Sequence, residues 1–181
     1  MAKEIERKFL VKGDSWRGQG KSRLIRQGFF LTDDDRSVRV RILGEQAFLT
    51  LKASMSGFSR FEFEYEIPMH DAQELLDKLC GRPLVEKTRN WVEYGGRSWV
   101  VDEFHGENEG LFLAEVELDD ESDTVERPEW CGKEVSDNPR FYNAYISRHP
   151  FMTWNLHPKS ELGKEYAEAV AHRRMEENEA S

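Results

Sequence analysis

The sequence predicts an α+β fold that is mainly β, an eight-stranded antiparallel closed barrel with an ionic interior and helices packed outside. Three observations support this prediction. Eight runs alternate apolar and polar residues with the period of two that is typical of a half-buried strand. Turn residues separate the runs, and eight strands are enough to close a barrel. The polar positions of six runs are charged, which favours faces that converge on an ionic interior.

The predicted strands follow one another along the first two thirds of the chain. They span residues 3–11, 24–31, 37–43, 47–53, 59–67, 84–94, 98–104 and 111–119. Turn signals lie at residues 33–35, at Gly44 and at residues 56–57. The pair Gly95 and Gly96 predicts a tight hairpin between the sixth and seventh strands.

Three helices are predicted outside these strands. The segment DAQELLDKLC has Asp71 as its expected N-cap, Glu74 three residues later and Gly81 as its stop. The segment NPRFYNAYIS indicates a second short helix, and the polar run from about residue 160 to 178 indicates a third. We expect these helices to cover the outside of the barrel.

The first strand shows the charge pattern most clearly. Glu4, Glu6 and Lys8 project from one face, because successive strand residues point to opposite sides of a sheet. The pattern recurs in later strands as Arg39 with Arg41, Lys52, Glu62 with Glu64 and Glu66, Lys87 with Arg89, and Glu115 with Glu117. One such strand could simply have a solvated polar face, but aligned like charges repel, so six indicate a shared site.

In order and in spacing, these motifs resemble the CYTH domains, also called triphosphate tunnel metalloenzymes. The matching motifs are E-x-E-x-K at Glu4, R-x-R at Arg39, L-T-L-K ending at Lys52, two E-x-E pairs and K-x-R at Lys87. The segment from residue 132 to 143 is similar to the end of that domain. The resemblance implies a tunnel domain over residues 1–150, followed by a C-terminal extension over residues 151–181.

The resemblance also implies a division of roles among the charged residues. The expected metal ligands are glutamates, namely Glu4, Glu6, Glu62, Glu64, Glu115 and Glu117. The expected substrate-binding residues are the cations Lys8, Arg39, Arg41, Lys52, Lys87 and Arg89, and the expected catalytic residues are Lys87 and Glu6.

The chemistry of a triphosphate explains why it needs both sets. Arginine forks and lysine ammonium groups bind phosphoryl oxygens, and clustered carboxylates without Cys or His suit Mg²⁺ or Mn²⁺. Structural alternatives stay open: Arg39 and Arg41 could form a solvated strand, or pair with Glu115 and Glu117. Asp102 could reach the interior as a further carboxylate or could stay outside it.

The expected function is the metal-dependent hydrolysis of inorganic triphosphate to pyrophosphate and phosphate. The alternatives on the same scaffold are an adenylyl cyclase of the class IV type, a thiamine triphosphatase or a nucleoside triphosphatase. A further alternative is a binding module that holds polyphosphate without turning it over. No Ser, Cys or His pattern indicates a covalent nucleophile.

Composition narrows the class of protein. The net charge of −9 argues against a nucleic-acid binder with a general basic surface. Cys80 and Cys131 lie in no metal-ligand spacing, so we expect reduced thiols in a cytoplasmic protein, with a disulfide as the alternative. No stretch approaches 18 apolar residues, so no contact with a membrane is expected. Because the outer faces of the strands are apolar, we expect a homodimer.

Overall fold

The computed structural model describes residues 3–33, 36–55, 59–154, 156, 163–164 and 166–168. Its strands are β1 Lys3–Val11, β2 Ser22–Thr32, β3 Arg36–Leu43, β4 Gln46–Ser54, β5 Ser59–Glu66, β6 Val85–Tyr94, β7 Arg97–Phe104, β8 Phe112–Glu117 and β9 Cys131–Glu134. Its helices are α1 Met69–Lys78 and α2 Asn143–Ile146, with 3₁₀ turns at Gly106–Asn108, Pro139–Phe141 and Phe151–Thr153. The predicted turns at residues 34–35 and 56–57 lie outside the described residues.

The strands form the predicted closed antiparallel barrel. Neighbouring strands follow the order β5-β4-β3-β2-β6-β7-β8-β1, and the pairing of β1 with β5 closes the ring. Glu4 lies opposite Arg60 at this closure. Gly95 and Gly96 both have positive φ in the β6–β7 hairpin, as the double glycine predicts.

The ninth strand was not predicted. β9 pairs with the second half of β1, where Phe9 lies opposite Glu134 and Val11 opposite Cys131. Its sequence, CGKE, is short and lacks the alternation of apolar and polar residues that marks the other strands. β1 therefore contacts three strands in turn: β5 near its start, β8 along its length and β9 near its end.

Two helix predictions need correction. The predicted N-cap at Asp71 is wrong, because α1 begins at Met69 with Pro68 as its N-cap residue. Proline has a fixed φ suited to a helix start, and Asp71 instead places its charge in the positive first turn. The segment NPRFYNAYIS is not one helix: Tyr142 is extended and separates a 3₁₀ turn from α2.

The apolar core lies outside the barrel, because the interior is ionic. On one side, Phe9, Trp16, Trp99 and Trp130 are buried together. α1 covers β3 and β4 through Ala72 and Leu76.

Tyr166, near the end of the described residues, packs on the barrel. Tyr166 belongs to a third buried cluster, and its ring contacts that of Phe151 in a tilted arrangement with centroids 4.9 Å apart. Residues 163–164 and 166–168 are helical, and the rest of the predicted helix from about residue 160 lies outside the described residues. Within the part of the chain that the structure describes, no helix is long and apolar enough to cross a bilayer.

Candidate active site

The inward faces of the strands enclose a charged cavity of about 1130 Å³. Every predicted site residue except Lys87 lines it: Glu4, Glu6, Lys8, Arg39, Arg41, Lys52, Glu62, Glu64, Arg89, Glu115 and Glu117. Strand register places opposite charges side by side, since Lys8 lies opposite Glu115 on the neighbouring strand. Glu66 continues the β5 row, but it is exposed and does not line the cavity.

Four of the glutamates form a carboxylate cluster, which we define as Glu4, Glu6, Glu62 and Glu117. Lys52 is their closest cation, with Nζ 2.5 Å from Glu4 Oε2 and 2.8 Å from Glu62 Oε2. Burial raises the pKa of Glu4 in spite of Lys52, and the neighbouring Glu62 carboxyl adds to the rise. Burial also raises the pKa of Glu117, with Glu4 and Glu6 adding to it. The pKa of Glu62 is lowered instead, because its contacts with Lys52, Glu4 and Arg39 outweigh its burial.

The other two glutamates are tied to cations. Glu115 accepts hydrogen bonds from Lys8 and from Arg89, the latter at 3.0 Å. Although burial opposes ionisation, these cations hold the pKa of Glu115 well below its usual value. Glu64 accepts from Arg41 at 2.9 Å and from Thr50 Oγ1 at 2.7 Å. These two carboxylates hold the guanidinium groups of Arg41 and Arg89 at the cavity wall.

The basic wall is defined as Lys8, Arg39, Arg41, Lys52 and Arg89. Burial lowers the pKa of Arg41 to about 10, and the neighbouring Arg39 contributes to this shift. Glu64 pairs with both guanidinium groups and offsets part of their repulsion, but the wall presents five cations in all. The wall is therefore suited to a ligand with several negative charges.

Lys87 lies behind the cavity wall. Its Nζ is 2.5 Å from Asp102 Oδ2 and 3.2 Å from Asn143 Oδ1, and only the second of these partners lines the cavity. Asp102 is fully buried and also accepts two hydrogen bonds from Arg89, at 2.8 and 2.7 Å. Burial lowers the pKa of Lys87 to about 8, in spite of the opposing charge of Asp102. Asp102 therefore faces inward, one of the two positions that the sequence left open.

The open structural alternatives are also decided by these contacts. Arg39 and Arg41 are not solvated, because their side chains are only 10% and 13% exposed. They pair with Glu64 rather than with Glu115. Glu117 makes no ion pair within the described part of the chain.

The carboxylate cluster fits a hard divalent cation in its chemistry. Its donors are oxygens alone, which suit Mg²⁺ or Mn²⁺, and a bound cation would offset the repulsion that Glu4 and Glu6 exert on Glu117. Within the described residues, however, no three His, Cys, Asp or Glu side chains are already arranged around one point. A metal ion would therefore have to draw these carboxylates together.

Several cavity residues escaped the sequence prediction. Arg60 shares the face of Glu62 and Glu64 on β5, so its parity was a signal that could have found it. Asn143 and Tyr145 reach the cavity from α2, which lacks any strand alternation. α2 is thus part of the cavity wall rather than only an outer cover.

Comparison with known proteins gives a consistent result. The sequence model of the CYTH domain matches residues 2–142. The inorganic triphosphatase of Acetivibrio thermocellus is 46% identical over 154 residues, which cover 85% of this chain and 99% of that protein. The inorganic triphosphatase of Nitrosomonas europaea is 37% identical over 148 residues, which cover 80% and 96%. The crystal structure of the inorganic triphosphatase NE1496 has a TM-score of 0.60 at 33% identity, over 81% of this chain and 95% of that one.

Proposed function

The chain belongs to the CYTH domain family, and we propose that it hydrolyses inorganic triphosphate to pyrophosphate and phosphate. Two relatives that match nearly their whole length bear the name inorganic triphosphatase. The observation that carries the proposal is a barrel cavity lined by both a basic wall and a carboxylate cluster. A polyanion that must be both bound and cleaved needs both features.

The basic wall binds the phosphoryl oxygens. Arg39 and Arg41 come from one strand and Lys52 from the next, so their donors are spread along the bound chain. Arg89 is pre-oriented by its two hydrogen bonds to Asp102, which limits the entropy lost when substrate binds. Because these side chains are mostly buried, their charges act more strongly than they would in water.

A divalent cation, Mg²⁺ or Mn²⁺, is the cofactor that we propose. The carboxylate cluster would hold it, with Glu64 and Glu115 as further ligands if substrate takes over their cations. When bound, such an ion neutralises phosphoryl charge and acidifies an attacking water. The role proposed for Glu6 is to orient that water; its nearest cations, Lys8 and Arg60, lie 3.8 and 3.7 Å away, beyond hydrogen-bond distance.

Lys87 is the proposed proton donor to the leaving pyrophosphate. A lysine with a pKa of about 8 is charged at neutral pH yet gives up its proton readily. Its ammonium is shared between Asp102 and the cavity-lining Asn143. A leaving oxygen seated beside Asn143 would compete for the same ammonium.

Nucleoside triphosphates are the second class of candidate substrate. A cavity of about 1130 Å³ is larger than a triphosphate alone requires, and Tyr145 lines it. A nucleotide would use the same basic wall for its phosphates. Adenylyl cyclase, thiamine triphosphatase and nucleoside triphosphatase activity are therefore the alternatives to compare.

A substrate panel tests the proposal. Phosphate release is measured with triphosphate, ATP, thiamine triphosphate and pyrophosphate, each with Mg²⁺ and with Mn²⁺, and cyclic AMP is assayed in parallel. We expect the highest kcat/KM with inorganic triphosphate. Faster turnover of ATP, or formation of cyclic AMP, would assign the activity to a nucleotide instead of inorganic triphosphate. Binding of triphosphate without any turnover would favour the binding module.

The outer face of the barrel supports a homodimer. Leu31, Val38, Leu51 and Phe63 lie opposite one another in turn across β2 to β5. Leu31, Leu51 and Phe63 are 51%, 39% and 46% exposed. A continuous apolar row of this kind is typical of an interface. Light scattering should give twice the monomer mass, and Phe63→Lys should reduce it to the monomer mass.

A cytoplasmic location is also proposed. Cys80 and Cys131 are both buried and free. Free thiols are kept reduced in the cytoplasm, whereas secreted proteins more often pair theirs. Fractionation of the native host should find the protein with cytoplasmic markers.

A further inference from the structure

Arg60 stands apart from the cations that the sequence motifs assign to the site. It lies on β5, two residues before Glu62, and its side chain lines the cavity. In the register that closes the barrel it lies opposite Glu4, next to the carboxylate cluster. Its side chain is 23% exposed, so the guanidinium is at the cavity surface and not in bulk solvent.

Arg60 differs in its partners from the five cations of the basic wall. Arg41, Lys52 and Arg89 have carboxylate oxygens at 2.9, 2.5 and 2.7 Å. The nearest carboxylate to Arg60 is Glu6, at 3.7 Å, which is too far for a hydrogen bond. No side-chain hydrogen bond joins Arg60 to any residue that the structure describes. Its donors are therefore available to a ligand.

An aromatic ring holds this guanidinium in place. Arg60 lies over the ring of Tyr142, 4.4 Å from its centroid, and the planar guanidinium stacks well on such a face. The Tyr142 hydroxyl donates to the Ser136 carbonyl at 2.8 Å. Ser136 Oγ in turn accepts from the backbone N–H of Lys8 at 2.9 Å. The ring is thus fixed to the strand that carries Glu6 and Lys8.

We propose that Arg60 is a further substrate-binding residue, which grips the phosphoryl group nearest the carboxylate cluster, and that Tyr142 is its positioning residue. This inference rests on the proposed triphosphatase function. Arg60 has the planar fork that matches a phosphoryl group. Since no carboxylate has to be displaced from it, its donors are free when substrate arrives. Bound substrate would give Arg60 a hydrogen-bonded anionic partner, which Glu6 at 3.7 Å does not provide.

Steady-state kinetics with triphosphate tests the role of Arg60. Arg60→Gln should raise KM about tenfold with a smaller change in kcat, because the lost contact is made in the bound ground state as well. Arg60→Lys keeps the charge and should raise KM about threefold. Arg26→Gln is the matched control, because Arg26 pairs with Glu86 on the outer surface and should stay within about twofold of wild type.

Two variants of Tyr142 test the positioning role. Tyr142→Leu removes the ring and should raise KM towards that of Arg60→Gln. Its unfolding temperature should stay near that of wild type. Tyr142→Phe keeps the ring and should recover a KM within about twofold of wild type. A Leu variant with the KM of wild type would remove Tyr142 from the proposal.

One result would overturn the inference. Wild type hydrolyses triphosphate, Arg60→Gln is folded, and its KM for triphosphate equals that of Arg26→Gln. If wild type hydrolyses no triphosphate, the proposed function is wrong, and this result alone does not decide whether Arg60 binds triphosphate. Titration calorimetry with triphosphate in EDTA then decides on Arg60, since Arg60→Gln should still bind more weakly than Arg26→Gln. If Arg60→Gln does not fold, Arg60→Lys is compared with Arg26→Gln in its place.

Discussion

Lys87 and Asp102 form an ion pair that is almost wholly removed from solvent, with 2.5 Å between Nζ and Oδ2. The two side chains are 1% and 0% exposed. Asp102 also accepts two hydrogen bonds from Arg89, so one buried carboxylate fixes both cations of the K-x-R strand. A charged core of this kind is costly unless every charge is matched.

The first prediction concerns that carboxylate. Asp102→Asn leaves Lys87 and Arg89 without their shared counter-charge, and the loss of one partner of a buried pair should lower the free energy of unfolding by about 3 kcal/mol. Asp77→Asn, at an exposed pair with Arg82, should change it by less than about 0.5 kcal/mol. Urea unfolding measures both. Equal midpoints for Asp102→Asn and wild type would show that the buried network does not stabilise the fold.

The second prediction concerns pH. Burial lowers the pKa of Lys87 to about 8, so the free enzyme loses this proton as pH rises through that value. If the protonated lysine is the acid, kcat/KM for triphosphate should be highest below pH 8 and fall above it. Lys87→Arg stays charged throughout the range and should lack this fall, whatever its absolute rate. A descending limb that persists unchanged in Lys87→Arg would assign the titration to another group.

The third prediction concerns the basic wall. Arg41→Ala or Lys52→Ala should weaken triphosphate binding by about 1.5 to 3 kcal/mol, the range for a hydrogen bond to a charged group. The loss should be partial in each variant and severe in the double variant, because several cations share the ligand. Titration calorimetry measures the affinities, with Arg26→Ala as the control outside the cavity. Unchanged affinity in both single variants would mean that these side chains do not contact the ligand.

The alternation of charge predicted the barrel and the lining of its cavity, because parity along a strand decides which face a side chain occupies. Glu62 and Glu64 are examples, and Arg60 obeys the same rule although it was not predicted as a site residue. Parity does not determine how deeply an inward side chain is buried. Lys87 faces inward, as parity predicts, but lies behind the cavity wall with Asp102. β9 carries no periodic signal, because its position depends on contacts with β1. The segment of α2 was predicted to be helical, but no pattern in it places Asn143 and Tyr145 at the cavity.

The carboxylate cluster is the part of the account on which catalysis depends. An amide in place of Glu6 keeps the shape of the side chain and removes a negative oxygen ligand. Glu66→Gln is the matched control, because Glu66 lies on the β5 row but is exposed outside the cavity. Both variants should unfold at the temperature of wild type within a few degrees.

The most direct measurement is triphosphate turnover by wild type, Glu6→Gln and Glu66→Gln after treatment with EDTA and then with added Mg²⁺ or Mn²⁺. The account predicts that EDTA abolishes turnover by wild type and Glu66→Gln and that either cation restores it. Glu6→Gln should stay about 100-fold or more below wild type with the cation present. Undiminished turnover in metal-free wild type, or wild-type rates in folded Glu6→Gln, would contradict the metal-dependent mechanism.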